Sequence, residues 1–318
     1  MLNFSNKNVL WIFSHPKPQT IPSYLVSGIY PANYLGIQKV IFLENHDPKE
    51  LLQKFKPKCL IISKVFNNNI NHLINEAKVR DIKVISIFDD WVFPNDMRKK
   101  INLPIAKNSD IIIAKTAAAA DHITENTKIK CSIIPDPIRF KTYKIFKEVK
   151  NPINVCWFGM DTNHDSILNE LKNLDNLKIK IKLTIISNYI NSLKTKIDSI
   201  KIENLIIEYF EWNNSSNKNI VQSEVVILPY PNDKTRLVKS SNRIVDSLNL
   251  GRFTILSNVS QFSEFENYTY FGKISDGLSW LLHNKDEAIQ KTKLGQEYVL
   301  ENFSLKAICN KWLDIIKY

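Results

Sequence analysis

Eleven short apolar runs, separated by helix-like stretches, constrain this chain more than any other feature. In the first half they are VLWIF (9–13), KVIFL (39–43), CLIIS (59–63), KVISIF (83–88), IIIA (111–114) and CSIIP (131–135). In the second half they are INVCWFG (153–159), IKLTIIS (181–187), LIIEYF (205–210), EVVILPY (224–230) and RFTILS (252–257). Runs this continuously apolar suit strands covered on both faces, which is the condition of a parallel sheet. Between them, 69–80 and 116–124 in the first half, and stretches near 164–174, 190–200, 217–222 and 241–250 in the second, read as helices. The tail, 285–318, is strongly helical. Strands alternating with helices build right-handed βαβ units.

The alternation breaks once, at PDPIRFKTYKIFKEVKNP (135–152), which is rich in Pro and Lys, lacks periodicity and reads as an interdomain linker. A chain of 318 residues has room for two domains of ordinary size. The expectation is therefore α/β, with two Rossmann-like parallel-sheet domains over 1–145 and 146–300 and a terminal helix over 301–318. Open sheets of this kind bind ligands beyond the carboxyl ends of their strands.

Charge is distributed unevenly. Residues 1–150 hold 23 Lys and Arg against 13 Asp and Glu, whereas 151–318 hold 20 against 19, so the first half carries nearly all of the +11. Such a half suits an anionic partner, or it reflects a Lys- and Asn-rich composition with no partner at all. Specific nucleic-acid binding is not expected, because the cations do not interleave with aromatics on a recognisable module. No apolar run nears the roughly 18 residues of a membrane span, and VLWIF is too short for a signal peptide. Four isolated cysteines without a CxxC pair suggest neither zinc nor disulfides. A cytoplasmic protein is expected, a monomer or weak dimer, with peripheral attachment to the inner face of the plasma membrane through its basic half.

The most chemically loaded stretch is RLVKSSNRIVDSLNLGRFTIL (236–256). Ser240 or Ser241 can cap a helix, Ile244, Val245 and Leu248 form its apolar face, and Gly251 stands where a helix-ending glycine belongs. A helix start offers N–H groups and partial positive charge, hence an anion site. Arg236, Lys239 and Arg243 add charge-assisted donors suited to a diphosphate. The plainer reading is a capped surface helix with basic neighbours. FDDWVFPND (88–96) follows a strand and supplies Asp89 and Asp90, candidate general-base or acceptor-binding carboxylates, with a solvated turn as the alternative. His15, after the first strand, is a candidate contact for acceptor or donor sugar, with a purely structural histidine as the alternative.

KSSNRIVDSLNLGRFTILSNVSQFSEF resembles the donor-binding segment of GT-B glycosyltransferases, in particular the retaining family-four group. WFGMDTNHDSI (157–167) is similar to the opening loop of their second domain, and LIIEYFEWNNSSNKNIVQSEVVILPY to their nucleobase-side loop and following strand. SDIIIAKTAAAADHITENTKIKCSIIPDPI and QEYVLENFSLKAICNKWLDII resemble the last segment of the first domain and the closing helices that cross back to it. The resemblance implies two Rossmann-like domains facing across a cleft. Its implied function is metal-independent sugar transfer, without cofactor, from a nucleotide sugar donor to a hydroxyl of a saccharide or lipid-linked glycan in surface polysaccharide synthesis.

By the same resemblance, Lys239, Ser240, Ser241 and Asn242 would hold the diphosphate, with Arg236 and Arg243 nearby. Asp246 would accept the ribose diol, and Gly159 and Asn163 would approach phosphate and sugar. Phe210, Glu211, Trp212 and Tyr230 would line the nucleobase side, and Tyr30 and Asn33 the acceptor side. Two departures stand out. Val238 occupies the first position of a Glu-x7-Glu pattern, and Met160-Asp161-Thr162 replaces the usual cation after the loop glycine. An inactive GT-B partner subunit and a nucleotide-sugar epimerase stay open as alternatives.

Overall fold

A computed structural model describes residues 8–64, 69–89, 93, 95–177, 179–200, 202–231 and 238–317. The chain divides into two compact units. The first comprises Met1–Pro137, Lys234–Ser240 and Phe303–Tyr318, and the second comprises Ile138–Asp233 and Ser241–Asn302. The first boundary thus falls at Pro137, ahead of the expected 145, and the chain returns to the first unit at Phe303, close to the expected 301.

The first unit holds a six-stranded parallel sheet in the order β2-β1-β3-β4-β5-β6. Its strands are β1 (Val9–Phe13), β2 (Gln38–Ile41), β3 (Cys59–Ser63), β4 (Lys83–Phe88), β5 (Ile111–Ala114) and β6 (Ser132–Ile133). Every residue of β1 and β3 is buried, because each face packs its own layer. Leu10, Ile12, Leu60 and Ile62 point into one core, and Val9, Trp11, Phe13 and Ile61 into the other. The helices of this unit are α1 (Pro22–Tyr24), α2 (Tyr30–Tyr34), α3 (Pro48–Phe55), α4 (Asn69–Val79), α5 (Asp96–Asn108) and α6 (Ala117–Thr127), with a π-helical turn (Leu25–Ile29) joining the first two.

The second unit repeats the plan with the order β12-β11-β10-β7-β8-β9, again all parallel. Its strands are β7 (Ile153–Phe158), β8 (Ile181–Ser187), β9 (Leu205–Glu211), β10 (Val225–Leu228), β11 (Phe253–Leu256) and β12 (Tyr270–Phe271). Its helices are α7 (His164–Asp175), α8 (Ile190–Asp198), α9 (Asn217–Ile220), α10 (Asn242–Asn249), α11 (Ile274–His283) and α12 (Lys285–Phe303). The last helix, α13 (Leu305–Ile316), belongs to the first unit. There Trp312 meets Trp11 edge-to-face at 4.9 Å and the Lys83 ammonium donates to the Ile315 carbonyl.

The expected linker proves to be part of the second unit. Residues 138–150 have neither helix nor strand but run as an extended strap bonded to what lies beneath. The Tyr143 and Phe146 amides donate to the Asn249 and Gly251 carbonyls, the Thr142 hydroxyl donates to the Asn249 amide oxygen, and Gln296 donates to the Tyr143 carbonyl. Phe146 enters the core. Gly251 ends α10 at φ +67°, and a Cβ there would stand 2.7 Å from both the Ile145 Cα and the Lys144 carbonyl oxygen. Gly251→Ala should therefore lower stability by about 1–3 kcal/mol, since neither the left-handed backbone nor the strap can yield cheaply. A denaturant midpoint equal to that of the unsubstituted chain would show that the strap gives way freely.

Candidate functional site

In the second sheet the order reverses between β7 and β10, and the carboxyl ends of these two strands deliver the site. Phe158 ends β7 and Gly159 follows it. The Gly159 amide donates to the Ile186 carbonyl at 3.1 Å, and its own carbonyl accepts from the Ser187 hydroxyl at 2.7 Å. A Cβ at 159 would lie 3.0 Å from the Trp157 ring and 3.1 Å from Nη1 of Arg243, tighter than ordinary contact, so the glycine lets both pack close to the backbone. Arg243, in the first turn of α10, donates to the Phe158 carbonyl at 3.3 Å and rests on the Tyr230 ring at 4.5 Å. Tyr230 itself is buried beside Phe262 at 4.8 Å. Burial pushes its phenol up while Arg243 pulls against that shift. Such a stacked, half-buried guanidinium is oriented before any ligand arrives.

Ser241 is the N-cap of α10; its hydroxyl makes no capping bond to the helix, while its carbonyl accepts from the Ile244 and Val245 amides. Asn242 begins the helix. Lys239 and Ser240 directly precede this start and group with the first unit. Arg236 lies outside the described residues. Asn163 closes the 3-10 turn Asp161–Asn163. That turn is pinned by a reciprocal contact in which the Asp161 amide donates to the Asn188 side chain at 2.7 Å and Asn188 donates back at 3.1 Å.

Asp246 is almost fully buried, and its carboxylate is taken up by Arg139, whose Nε donates at 2.7 Å. Sequence reasoning missed Arg139, a residue 107 positions away with no local signal. The same guanidinium lies over the Trp212 and Phe140 rings at 5.4 and 5.2 Å. Trp212 also stacks on Phe158 at 6.2 Å, so its ring already has partners within the unit. Glu211 caps α8, accepting from the Tyr189 and Ile190 amides at 3.1 and 3.2 Å. Phe210 points to an open recess of the sheet with Thr184 and Glu208. The nucleobase-side trio is thereby split among a stack, a helix cap and a separate cavity.

In the first unit, residues following β1, β3 and β4 converge where that sheet order reverses. Lys64 pairs with Asp89 at 3.1 Å, lies 5.6 Å from the Tyr24 ring centroid and accepts the Ser14 hydroxyl on its carbonyl. Oδ1 of Asp89 is buried without a hydrogen-bond partner among the described residues. His15 stands 5.9 Å from Tyr24 and accepts the Lys17 amide on Nδ1. Burial pushes the Tyr24 phenol up. Asp90 lies outside the described residues. Tyr30 is half-buried on α2, and exposed Asn33 accepts from Lys39 on the edge strand β2. Among the described residues no three His, Cys, Asp or Glu side chains gather as metal ligands, and no helix is long and apolar enough to cross a membrane.

No protein-family model matches the chain, and no curated protein matches it in sequence. Solved structures do match over nearly its whole length. A glycosyltransferase from Rickettsia africae is 15% identical, with 97% of each chain covered and a TM-score of 0.72. Anabaena HepE, solved in complex with UDP, is 10% identical over 98% of this chain and 99% of its own, with a TM-score of 0.71. The lipopolysaccharide outer core galactosyltransferase WaaB is 12% identical over 97% and 98%, with a TM-score of 0.62. The chain has the fold of these proteins, two Rossmann-like units of the GT-B type.

The floor of the site carries its own pH sensitivity. His164 Nε2 meets the Ser187 hydroxyl at 2.7 Å, and because that hydroxyl donates to Gly159, the imidazole is the donor. Burial is the main force lowering the His164 pKa below 6.5, opposed by Asp161 and Asp165 and aided by Lys196. The unfolded chain therefore takes the proton first, and stability is lost as pH falls through the ordinary imidazole range. His122, lowered by its own burial, acts in the same direction. Unfolding free energy should fall between about pH 7 and pH 5, and His164→Gln should flatten part of that slope. An unchanged slope in the variant would remove His164 from the account.

Proposed function

We propose that the chain is a glycosyltransferase whose second unit binds a nucleoside diphosphate sugar, with the diphosphate at Arg243 and the start of α10. The observation that carries this is the pre-set Arg243, held by the Phe158 carbonyl and the Tyr230 ring where the sheet order reverses. Its guanidinium, the helix start at Ser241–Asn242 and the close approach allowed by Gly159 together suit an anion at a βα junction. HepE, of the same fold, is solved with UDP, and uridine diphosphate is accordingly the first donor moiety to test.

On this reading Arg243 and Lys239 offset the negative charge that grows on the leaving diphosphate. The acceptor is a hydroxyl of a saccharide or lipid-linked glycan. Asp89 is the candidate to receive it, because Lys64 engages one carboxylate oxygen and leaves the other without a partner among the described residues. A second reading is favoured by Val238, buried in the first unit's core where the resembling family places a sugar-contacting glutamate. It is a partner subunit that binds the nucleotide without turnover.

UDP at a hundred times its dissociation constant should stabilise the chain by about 2.7 kcal/mol, read as a thermal shift. Arg243→Ala should weaken UDP by about tenfold to a hundredfold, the range of a lost hydrogen bond to a charged group. Unaltered UDP affinity in that variant would sink the assignment. Lys239→Ala should slow sugar transfer or donor hydrolysis by orders of magnitude. Nucleotide binding with no turnover in the unsubstituted chain would select the second reading.

A further inference from the structure

The second sheet is covered unequally. On one face β7 and β8 send Val155, Trp157, Leu183 and Ile185 into a core shared with Leu171 of α7 and Leu193 of α8. On the other face the crossover from β9 to β10 contributes only α9, a helix of four residues. The alternate residues of β7, β8 and β9 are left lining a cavity of about 270 Å³ beside it. This cavity shares no residue with the Arg243 site.

Its chemistry is specific. Two ammonium groups reach it, but each has a carboxylate within the unit. Lys182 pairs with Glu208 at 2.9 Å and Lys150 with Glu224 at 3.8 Å, so the recess offers little net charge to an anion. What it does offer is neutral. Phe210 contributes a partly exposed aromatic ring. Asn154 donates its side-chain N–H groups to Glu224, which leaves its carbonyl oxygen as an acceptor. Thr184, Asn219 and Gln222 add a hydroxyl and two carboxamides. Ser223 borders the cavity, but its hydroxyl is buried behind the wall and has no hydrogen-bond partner among the described residues.

An aromatic face, carboxamides, a hydroxyl and internally balanced charges match a neutral polyhydroxylated ligand. We propose that this recess is a saccharide-binding subsite, built to hold one sugar of a neutral glycan apart from the Arg243 site. Phe210 stacks against the apolar face of the ring. Asn219 and Gln222 bond its hydroxyls. Glycan engagement here does not depend on whether the chain transfers sugar, so it stands or falls separately from the proposed activity.

Saturation-transfer NMR on the full chain, held with saturating UDP, tests this with maltotetraose and cellotetraose as probes. At least one probe should show transfer with millimolar affinity. Both Phe210→Ala and the Asn219→Ala/Gln222→Ala double variant should weaken that affinity by about tenfold or more. Thermal melting should confirm that both variants fold. The double variant should keep the UDP affinity of the unsubstituted chain. Absence of transfer from both sugars, full sugar affinity in either variant, or displacement of the sugar by excess inorganic phosphate would overturn the proposal. Loss of UDP binding in the folded double variant would overturn the separation of the two sites.

Discussion

The second unit depends on one long-range ion pair. Arg139 opens the strap that passes over α10, and its guanidinium closes on Asp246 in the middle of that helix. Removing either partner would strand the other in a poorly solvated place, which is far more costly than never having built the pair. The strap has no sheet or helix to satisfy its backbone, so α10 and its flanks supply the partners. Asn249 bonds the Phe140 carbonyl, and Arg252 spends its donors on four carbonyls, of Leu250, Val221, Ser223 and Lys144. Burial pulls the Arg252 pKa down to about 10. The outcome is a helix fixed along its length whose first turn carries Arg243. The position of the proposed phosphate ligand is thus set by contacts at the opposite end of the same eight-residue helix.

How much of this was legible follows from what leaves a mark on sequence. The central strands are buried on both faces and write uninterrupted apolar runs, so they are readable almost to the residue. The edges are not. β12 is two residues long, Tyr270–Phe271, and carries no period. Helix α5 was unread because Pro104 sits inside it among several lysines and its apolar face is weak. The strap read as a linker because an extended segment that bonds through its backbone imposes no side-chain periodicity. Around the site, the helix start at Ser241 and its end at Gly251 were legible from residue type, although the Ser241 hydroxyl makes no capping bond. The Glu211 cap of α8 and the Arg139–Asp246 pair were not, since each joins elements far apart in the chain.

The cluster in the first unit is an economical use of the same topology. Ser14, Lys64 and Asp89 follow three neighbouring strands, so their placement needs only that β1, β3 and β4 be in register. Lys64 adopts φ +48°, and its carbonyl takes the Ser14 hydroxyl. That contact ties the turn after β3 to the end of β1. The ammonium of the same residue then holds one oxygen of Asp89 and leaves the other for a donor. A carboxylate kept in a fixed orientation by a neighbouring cation is suited to accept a hydroxyl hydrogen bond, whether or not it goes on to take the proton.

The Glu-x7-Glu pattern implied by the resemblance is altered at both ends, and the two changes are of one kind. Its first position, Val238, is 3% exposed and packs among the apolar residues of the first unit. Its second, Asp246, keeps an acidic group but commits it to Arg139. Two positions that would contact donor in the resembling family have been drawn into structure, one into an apolar core and one into an ion pair. A carboxylate at 238 would have to be desolvated among isoleucines and leucines, so the valine is dictated by its surroundings.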